Sequence, residues 1–211
     1  HRILERYGMT ETGMNTSNPL DGPRVPETVG PPLAGVSIRI ISSDGRDLPA
    51  GEVGQLLVKG PNVFKGYWRQ PDKTAEAFTA DGWFRTGDLA RRDANGYVAI
   101  VGRAKDLIIT GGLNVYPKEI ETYIDELDGV AESAVIGLPH PDFGEAVTAV
   151  VVRAPGHADM TEESLLQTLK QKIAGYKVPK RVFFVAELPR NAMGKVQKNL
   201  LRERCASGQP P

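Results

Sequence analysis

The sequence predicts an α+β protein in two parts, a mainly β subdomain followed by a small α+β domain. Three observations carry that prediction. Two strand–turn–strand patterns fill much of the first half, whereas sustained helical spacing of apolar residues begins only after Asp106. Residues 146–152 form an almost unbroken apolar run, the mark of a strand covered on both faces. The 23 Gly and 16 Pro among 211 residues are scattered between such runs rather than repeated at a period, which fits a turn-rich globular fold and excludes a collagen-like one.

Taken in order, residues 36–41 and 53–58 read as strands joined through the turn-rich stretch 42–52, a plausible hairpin. Gly66-Tyr67-Trp68 leads into a short helix over residues 71–78, with Asp72 as the expected cap. Asn95-Gly96 marks a second hairpin, expected as a type I′ turn because both residues tolerate positive φ. Residues 117–127 read as a helix, with Pro117 in its first turn and Ile120, Tyr123, Ile124 and Leu127 three and four apart. Residues 130–138 are a strand. Thr161-Glu162-Glu163-Ser164 nearly matches a capping box and opens a helix through Ile173. Residues 182–185 make a last short strand. The expected organisation is 1–105, 106–204 and a tail, 205–211.

Charge and composition narrow the function classes. No apolar run approaches the roughly 20 residues of a transmembrane helix, so no membrane span is expected. The opening His1-Arg2-Ile3-Leu4-Glu5 has neither an initiator Met nor an apolar signal core, and the chain is expected to be part of a longer protein. Cys205 has no partner for an internal disulfide and lies near a polar tail, which favours a reducing compartment: the cytoplasm or, in a eukaryote, the mitochondrial matrix. Lys+Arg and Asp+Glu balance at 26 each, which argues against a nucleic-acid partner. The balance hides polarity, because residues 107–169 hold 2 basic and 11 acidic residues and residues 170–204 hold 10 basic and 2 acidic. The basic stretch is either a solvated face or a dock for polyanionic phosphate.

Four constellations can carry chemistry. Tyr7-Gly8-Met9-Thr10-Glu11 offers a hydroxyl and backbone N–H groups for phosphate and a carboxylate for Mg²⁺. Arg85-Thr86-Gly87-Asp88 offers a carboxylate for paired ribose hydroxyls, or a turn Asp that caps its own backbone. Gly102-Arg103-Ala104-Lys105-Asp106 runs on to Gly111-Gly112, where bare backbone lets a narrow ligand pass or simply makes a turn. Pro189-Arg190-Asn191-Ala192-Met193-Gly194-Lys195 places a Lys on a flexible turn.

In this order and spacing the four resemble the motifs of the adenylate-forming superfamily of acyl-CoA synthetases, luciferases and adenylation domains, over essentially the whole chain. The resemblance implies that residues 1–105 are the C-terminal remainder of a large AMP-binding domain and that 106–204 are a mobile C-terminal domain. It implies ATP with Mg²⁺ and coenzyme A as cosubstrates. Tyr7 would stack on adenine, Thr10 would meet phosphate, Glu11 would hold Mg²⁺, and Asp88 with Arg103 would bind ribose. Lys195 would stabilise charge during adenylation, and Asp106 matches the hinge. Gly111, Gly112, Phe143, Tyr176 and Lys180 match the coenzyme A face, with Lys177 and Arg181 as further cations beside Val178.

Arg6 stands where fatty- and aryl-acid relatives usually have Gly, and with Thr12-Gly13-Met14-Asn15-Thr16 it resembles malonyl-CoA synthetases. A guanidinium there pairs with the far carboxylate of a short diacid and is left desolvated by an alkyl chain. The bland alternative for Arg6 is a surface ion pair, with Glu5 for instance. The reading is therefore an ATP-dependent acid–CoA ligase for malonate, with methylmalonate as a second substrate. A general fatty- or aryl-acyl-CoA synthetase and a non-catalytic CoA- or nucleotide-binding fragment are the alternatives, and the chain alone is expected to be inactive. Lys195 on its turn is also a natural target for a lysine acetyltransferase.

Overall fold

In the computed structural model, which describes residues 3–207, the backbone divides between Lys105 and Asp106 into two units. The first is built from antiparallel strands. β1 (Arg6–Met9) and β2 (Gly13–Ser17) form a hairpin closed by the turn Thr10-Glu11-Thr12, whose Thr12 N–H donates to Met9 O at 3.1 Å. Gly8 is required by space: a Cβ there would lie 2.2 Å from Gly13 O. β3 (Ser37–Ile41), β4 (Gly54–Lys59), β5 (Phe84–Arg92) and β6 (Val98–Arg103) pair in chain order as a four-stranded sheet. Ile38, Ile40, Leu56, Val58, Ala90 and Val98 form its core. α1 (Pro71–Ala77) lies in the connection from β4 to β5, where Phe64, Phe78 and Phe84 pack ring against ring.

Two local expectations are corrected. Asp72 is not the cap of α1: the N-cap is Gln70, without a side-chain bond, and the fixed φ of Pro71 at the first position starts the helix. The Asn95-Gly96 turn is not type I′, since Gly96 is left-handed (φ +88°) and Asn95 is not. The Asp93 carboxylate instead accepts the Asn95 and Tyr97 N–H groups at 2.9 and 2.8 Å and holds a longer turn. A turn with both central φ values positive does occur, at Gly111 (+56°) and Gly112 (+79°), between β7 (Ile108–Thr110) and β8 (Leu113–Val115).

The second unit is a five-stranded mixed sheet with helices on both faces. β9 (Val130–His140) and β10 (Gly144–Arg153) pair antiparallel along their length, β11 (Arg181–Val185) runs parallel to β10, and β7 joins β10 at Gly144. α2 (Pro117–Asp125) and α3 (Glu162–Lys170) supply Ile120, Ile124, Leu165 and Leu169 to a core with Val147, Ala149 and Val151. Thr161 and Ser164 exchange side-chain bonds as a capping box at the start of α3. On the opposite face, Val150 meets Ala134, Ile136, Leu188 and Leu201, the last from α4 (Lys198–Ala206). Alternate residues of β10 thus serve two cores, which is why its sequence is apolar almost throughout.

α4 was not anticipated, and it overturns a tail beginning at residue 205. Its register brings Leu201, fully buried, and Cys205, half-buried, onto the sheet four residues apart, so Cys205 packs against the core rather than trailing from it. The charge polarity also resolves. Lys177 pairs with Glu119 and Lys198 with Glu121, both at 2.6 Å, Arg202 pairs with Asp106 at 2.8 Å, and Arg190 pairs with Glu132. Four of the ten basic residues of this stretch are therefore neither a plain solvated face nor an open anion dock.

Glu121 is the most enclosed of these carboxylates, 7% exposed, and its Oε1 also accepts the Val135 N–H at 2.9 Å. It ties α2 to both β9 and α4. Glu121→Ala leaves a largely buried ammonium and an N–H unpaired, and is expected to cost about 3–5 kcal/mol of stability. Urea unfolding midpoints would check this; a loss below about 1 kcal/mol would contradict the bracing role.

Candidate active site

In the first unit, β1 supplies Tyr7, β5 supplies Asp88 and β6 supplies Arg103, with Asp88 and Arg103 directly opposite in register. The Asp88 carboxylate, on a residue only 5% exposed, is engaged at both oxygens: Tyr7 Oη donates to Oδ2 at 2.5 Å and Arg103 Nε lies 2.8 Å from Oδ1. Its backbone N–H donates to Thr86 Oγ1 at 3.0 Å, and that hydroxyl donates to Leu56 O at 2.8 Å, so the residue is pinned to the sheet. Burial, and then the hydrogen bond and charge of Asp88, push the Tyr7 phenol far above its ordinary value. It is a neutral donor throughout the physiological range.

The β1–β2 turn presents Thr10 exposed and Glu11 half-buried. Glu11 Oε1 accepts Tyr67 Oη at 3.1 Å, and its backbone O accepts the Phe64 N–H at 2.8 Å. Burial and Glu11 raise the Tyr67 phenol as well. Among the described residues no three His, Cys, Asp or Glu side chains cluster as a metal cage. One carboxylate beside a phosphate fits Mg²⁺, which commonly takes one or two protein carboxylates and completes its shell with phosphate oxygens and water. Arg6 is exposed on β1 and makes no ion pair among the described residues, with Glu5 or otherwise.

In the second unit, the Gly111–Gly112 turn, Phe143 and Lys180 come together. The Gly111 N–H donates to Phe143 O at 2.8 Å, His140 packs against the Phe143 ring at 4.8 Å, and Lys180 Nζ lies 5.3 Å from the ring centroid. Tyr176 is exposed on a short 3₁₀ turn of residues 175–177, and its ring lies 5.8 Å from Lys177 Nζ. Lys177 is committed to Glu119; burial opposes its charge, yet the bond and charge of Glu119 raise its pKa. Val178 is buried and belongs to the core. Asp106, the first residue of this unit, is held by Arg202 of α4.

Lys195 stands exposed on a turn of its own. Asn191 Oδ1 accepts the Met193 and Lys195 N–H groups at 3.0 Å each, Gly194 is left-handed, and Arg190 donates to Gly194 O at 2.6 Å while pairing with Glu132. The turn is thus rigidly braced, and the Lys195 ammonium makes no ion pair among the described residues. Tyr67, His140 and the Arg190 and Arg202 braces were not singled out beforehand. Only the aromatic of Gly66-Tyr67 gave any local signal; the other contacts join residues far apart in the chain.

Two family models of known proteins match the chain. The AMP-binding enzyme model matches residues 1–68, and the AMP-binding enzyme C-terminal domain model matches residues 119–195. The chain belongs to the AMP-binding, adenylate-forming family, among the acyl-CoA synthetases. Within it the chain is close to malonyl-CoA synthetases: it superposes on the crystal structure of ATP-bound MatB from Rhodopseudomonas palustris with a TM-score of 0.90 and 62% identity, over 96% of this chain and 40% of that one. It is 45% identical to a malonate–CoA ligase of Arabidopsis thaliana, over 96% of this chain and 34% of the relative. A sulfoacetate–CoA ligase of Cupriavidus necator is also 45% identical, over 93% and 38%. The chain therefore spans little more than a third of the length of these relatives. Relatives named for other acids match at 42–44% identity.

Tyr7→Phe should cost about 1–2 kcal/mol by removing a hydrogen bond to a buried carboxylate. Its effect on pH dependence has a definite sign. The phenol ionises at higher pH folded than unfolded, so its contribution is full below about pH 10 and is lost as pH rises beyond it. Urea titrations at neutral and alkaline pH should show a shallower alkaline decline in Tyr7→Phe; an unchanged decline would contradict the Tyr7–Asp88 assignment.

Proposed function

We propose that the whole protein is an ATP-dependent malonate–CoA ligase. Malonate oxygen attacks the α-phosphorus of ATP, giving malonyl-AMP and pyrophosphate; the thiolate of coenzyme A then attacks the acyl carbon and AMP leaves. Tyr7 packs on the adenine and Asp88 accepts from the ribose hydroxyls, exchanging part of its present bonding to Tyr7 and Arg103 for them. Thr10 and the backbone of its turn meet phosphate. Glu11 would hold Mg²⁺, which when bound neutralises charge on the polyphosphate. Lys195 offers one ammonium to the charge that develops as the carboxylate attacks, the kind of positioned electrostatic stabilisation that dominates phosphoryl chemistry. Asp106 marks the pivot that lets the second unit present first Lys195 and then the Gly111–Gly112 face, where Phe143, Tyr176 and Lys180 receive coenzyme A. Being exposed, Lys195 is also open to acetylation, which would remove its charge.

One observation carries the choice of acid: Arg6 places a guanidinium immediately before Tyr7 in β1. Adjacent residues of a strand point to opposite faces, so the strand separates the nucleotide contact from the acyl contact. A diacid would offer this guanidinium a second carboxylate, preferably bidentate, whereas an alkyl chain packed against it would leave the cation desolvated and unpaired at a cost of several kcal/mol. The similarity to malonate and sulfoacetate ligases supports this, because both acids carry a second anionic group beyond a short spacer.

AMP release with malonate, methylmalonate, acetate and octanoate tests the reading. Malonate should exceed octanoate by about a hundredfold or more, as expected for an unpaired buried charge. Arg6→Ala should lower kcat/KM for malonate by about 10²–10³ while leaving the KM for ATP within about threefold. Octanoate turnover equal to malonate turnover would replace the diacid reading with a general acyl-CoA synthetase.

A further inference from the structure

The Gly111–Gly112 turn has little packed against it. Nothing lies within 4 Å of where a Cβ of residue 112 would stand, and at residue 111 only Phe143 reaches 4.0 Å. Its supporting strand β7 pairs with β10 at a single position, Thr110 opposite Gly144. Besides its pairing with β8, the rest of the grip comes from the start of β10 and the residue before it: Phe143 O accepts the Gly111 N–H, and Glu145 Oε2 accepts the Ile109 N–H at 2.7 Å. A side-chain carboxylate stands in for the backbone acceptor that a longer ladder would provide.

A second observation points to the same carboxylate. Gly137 lies in the interior of β9, where glycine is unfavourable, and its backbone is not left-handed. A Cβ there would stand 2.6 Å from Glu145 Oε1, 2.9 Å from its Cδ and 3.2 Å from Ile108 Cγ2. Space for the Glu145 side chain is what this glycine supplies.

We propose that Glu145 is a positioning residue for the thioester-forming step: its carboxylate, seated in the space left by Gly137, fixes the Gly111–Gly112 turn against Phe143. The proposal rests on the reading of that face as the one receiving coenzyme A. A charged acceptor makes a shorter and stronger bond to the Ile109 N–H than a neutral one. Without it, β7 keeps its pairing with β8 but only one position paired with β10, and the turn is held to Phe143 by the single Gly111 N–H bond. Glu145 touches no reacting atom and is not a catalytic residue.

The experiment compares Glu145→Ala, Glu145→Gln and Gly137→Ala in the whole protein, in both half-reactions. In Glu145→Ala, malonate-dependent ATP–pyrophosphate exchange should stay within about twofold, while conversion of malonyl-AMP and coenzyme A to thioester slows about tenfold or more and the KM for coenzyme A rises. Glu145→Gln keeps an acceptor and should recover most of the rate. Gly137→Ala should reproduce the split by displacing the carboxylate, and the double variant should be little worse than either single one. Hydrogen exchange of the Ile109 and Gly111 amides should quicken in Glu145→Ala whether or not the enzyme turns over. Equal slowing of both half-reactions, slowing of neither, or unchanged Ile109 exchange would overturn the proposal. A wild-type protein that makes adenylate but no thioester would refute the coenzyme A reading itself, and the proposal with it, a result distinct from any variant effect.

Discussion

A carboxylate withdrawn from water stays ionised at tolerable cost only with cations or donors against it, and that requirement organises both units. In the first, Asp88 is satisfied by Tyr7 from β1 and Arg103 from β6, which fastens the small hairpin to the larger sheet. In the second, the enclosed Glu121 and Asp106 take Lys198 and Arg202, while Glu119 and Glu132, with side chains 37% and 32% exposed, pair with Lys177 and Arg190. The enclosed pairs add little net stability over an apolar core, but breaking one is expensive, whereas the more exposed pairs contribute little; together they specify how the late elements dock more than they hold the fold together.

That pairing also separates charge that is spent from charge that is available. Lys177, Arg190, Lys198 and Arg202 serve the fold, whereas Lys195 sits on a braced turn with its ammonium exposed. Arg190 illustrates the division: it neutralises Glu132 and donates to the carbonyl of the residue before Lys195, so a structural ion pair braces the turn from which the exposed ammonium projects. Glu145 does the same for the glycine turn, with a backbone N–H in place of a cation.

The elements legible in the sequence were those with enough apolar residues to show a period. β3, β4, β9, β10, α2 and α3 fall into that class, and the continuous apolar run of β10 correctly implied cover on both faces. α4 escaped because Leu201 is its one buried residue among mostly charged neighbours. β1, β2, β7 and β8 are three to five residues long and carry little apolar signal. The Asn95-Gly96 turn was misread because the deciding acceptor, Asp93, lies outside the dipeptide. The family was readable from the motifs, whereas the bonds that hold the motif residues, such as Tyr67 on Glu11 or Arg202 on Asp106, depend on folding and leave no local trace.

In the proposed mechanism the braced Lys195 ammonium stabilises charge in the adenylation step and takes no part in thioester formation. Lys195→Gln removes the charge while keeping a side chain of similar reach on the same turn. In the whole protein it should lower malonate-dependent ATP–pyrophosphate exchange by at least about a hundredfold, the scale lost when one positioned electrostatic group is removed. Supplied with ready-made malonyl-AMP, the same variant should form thioester at close to the wild-type rate. Exchange at the wild-type rate in Lys195→Gln would contradict the account.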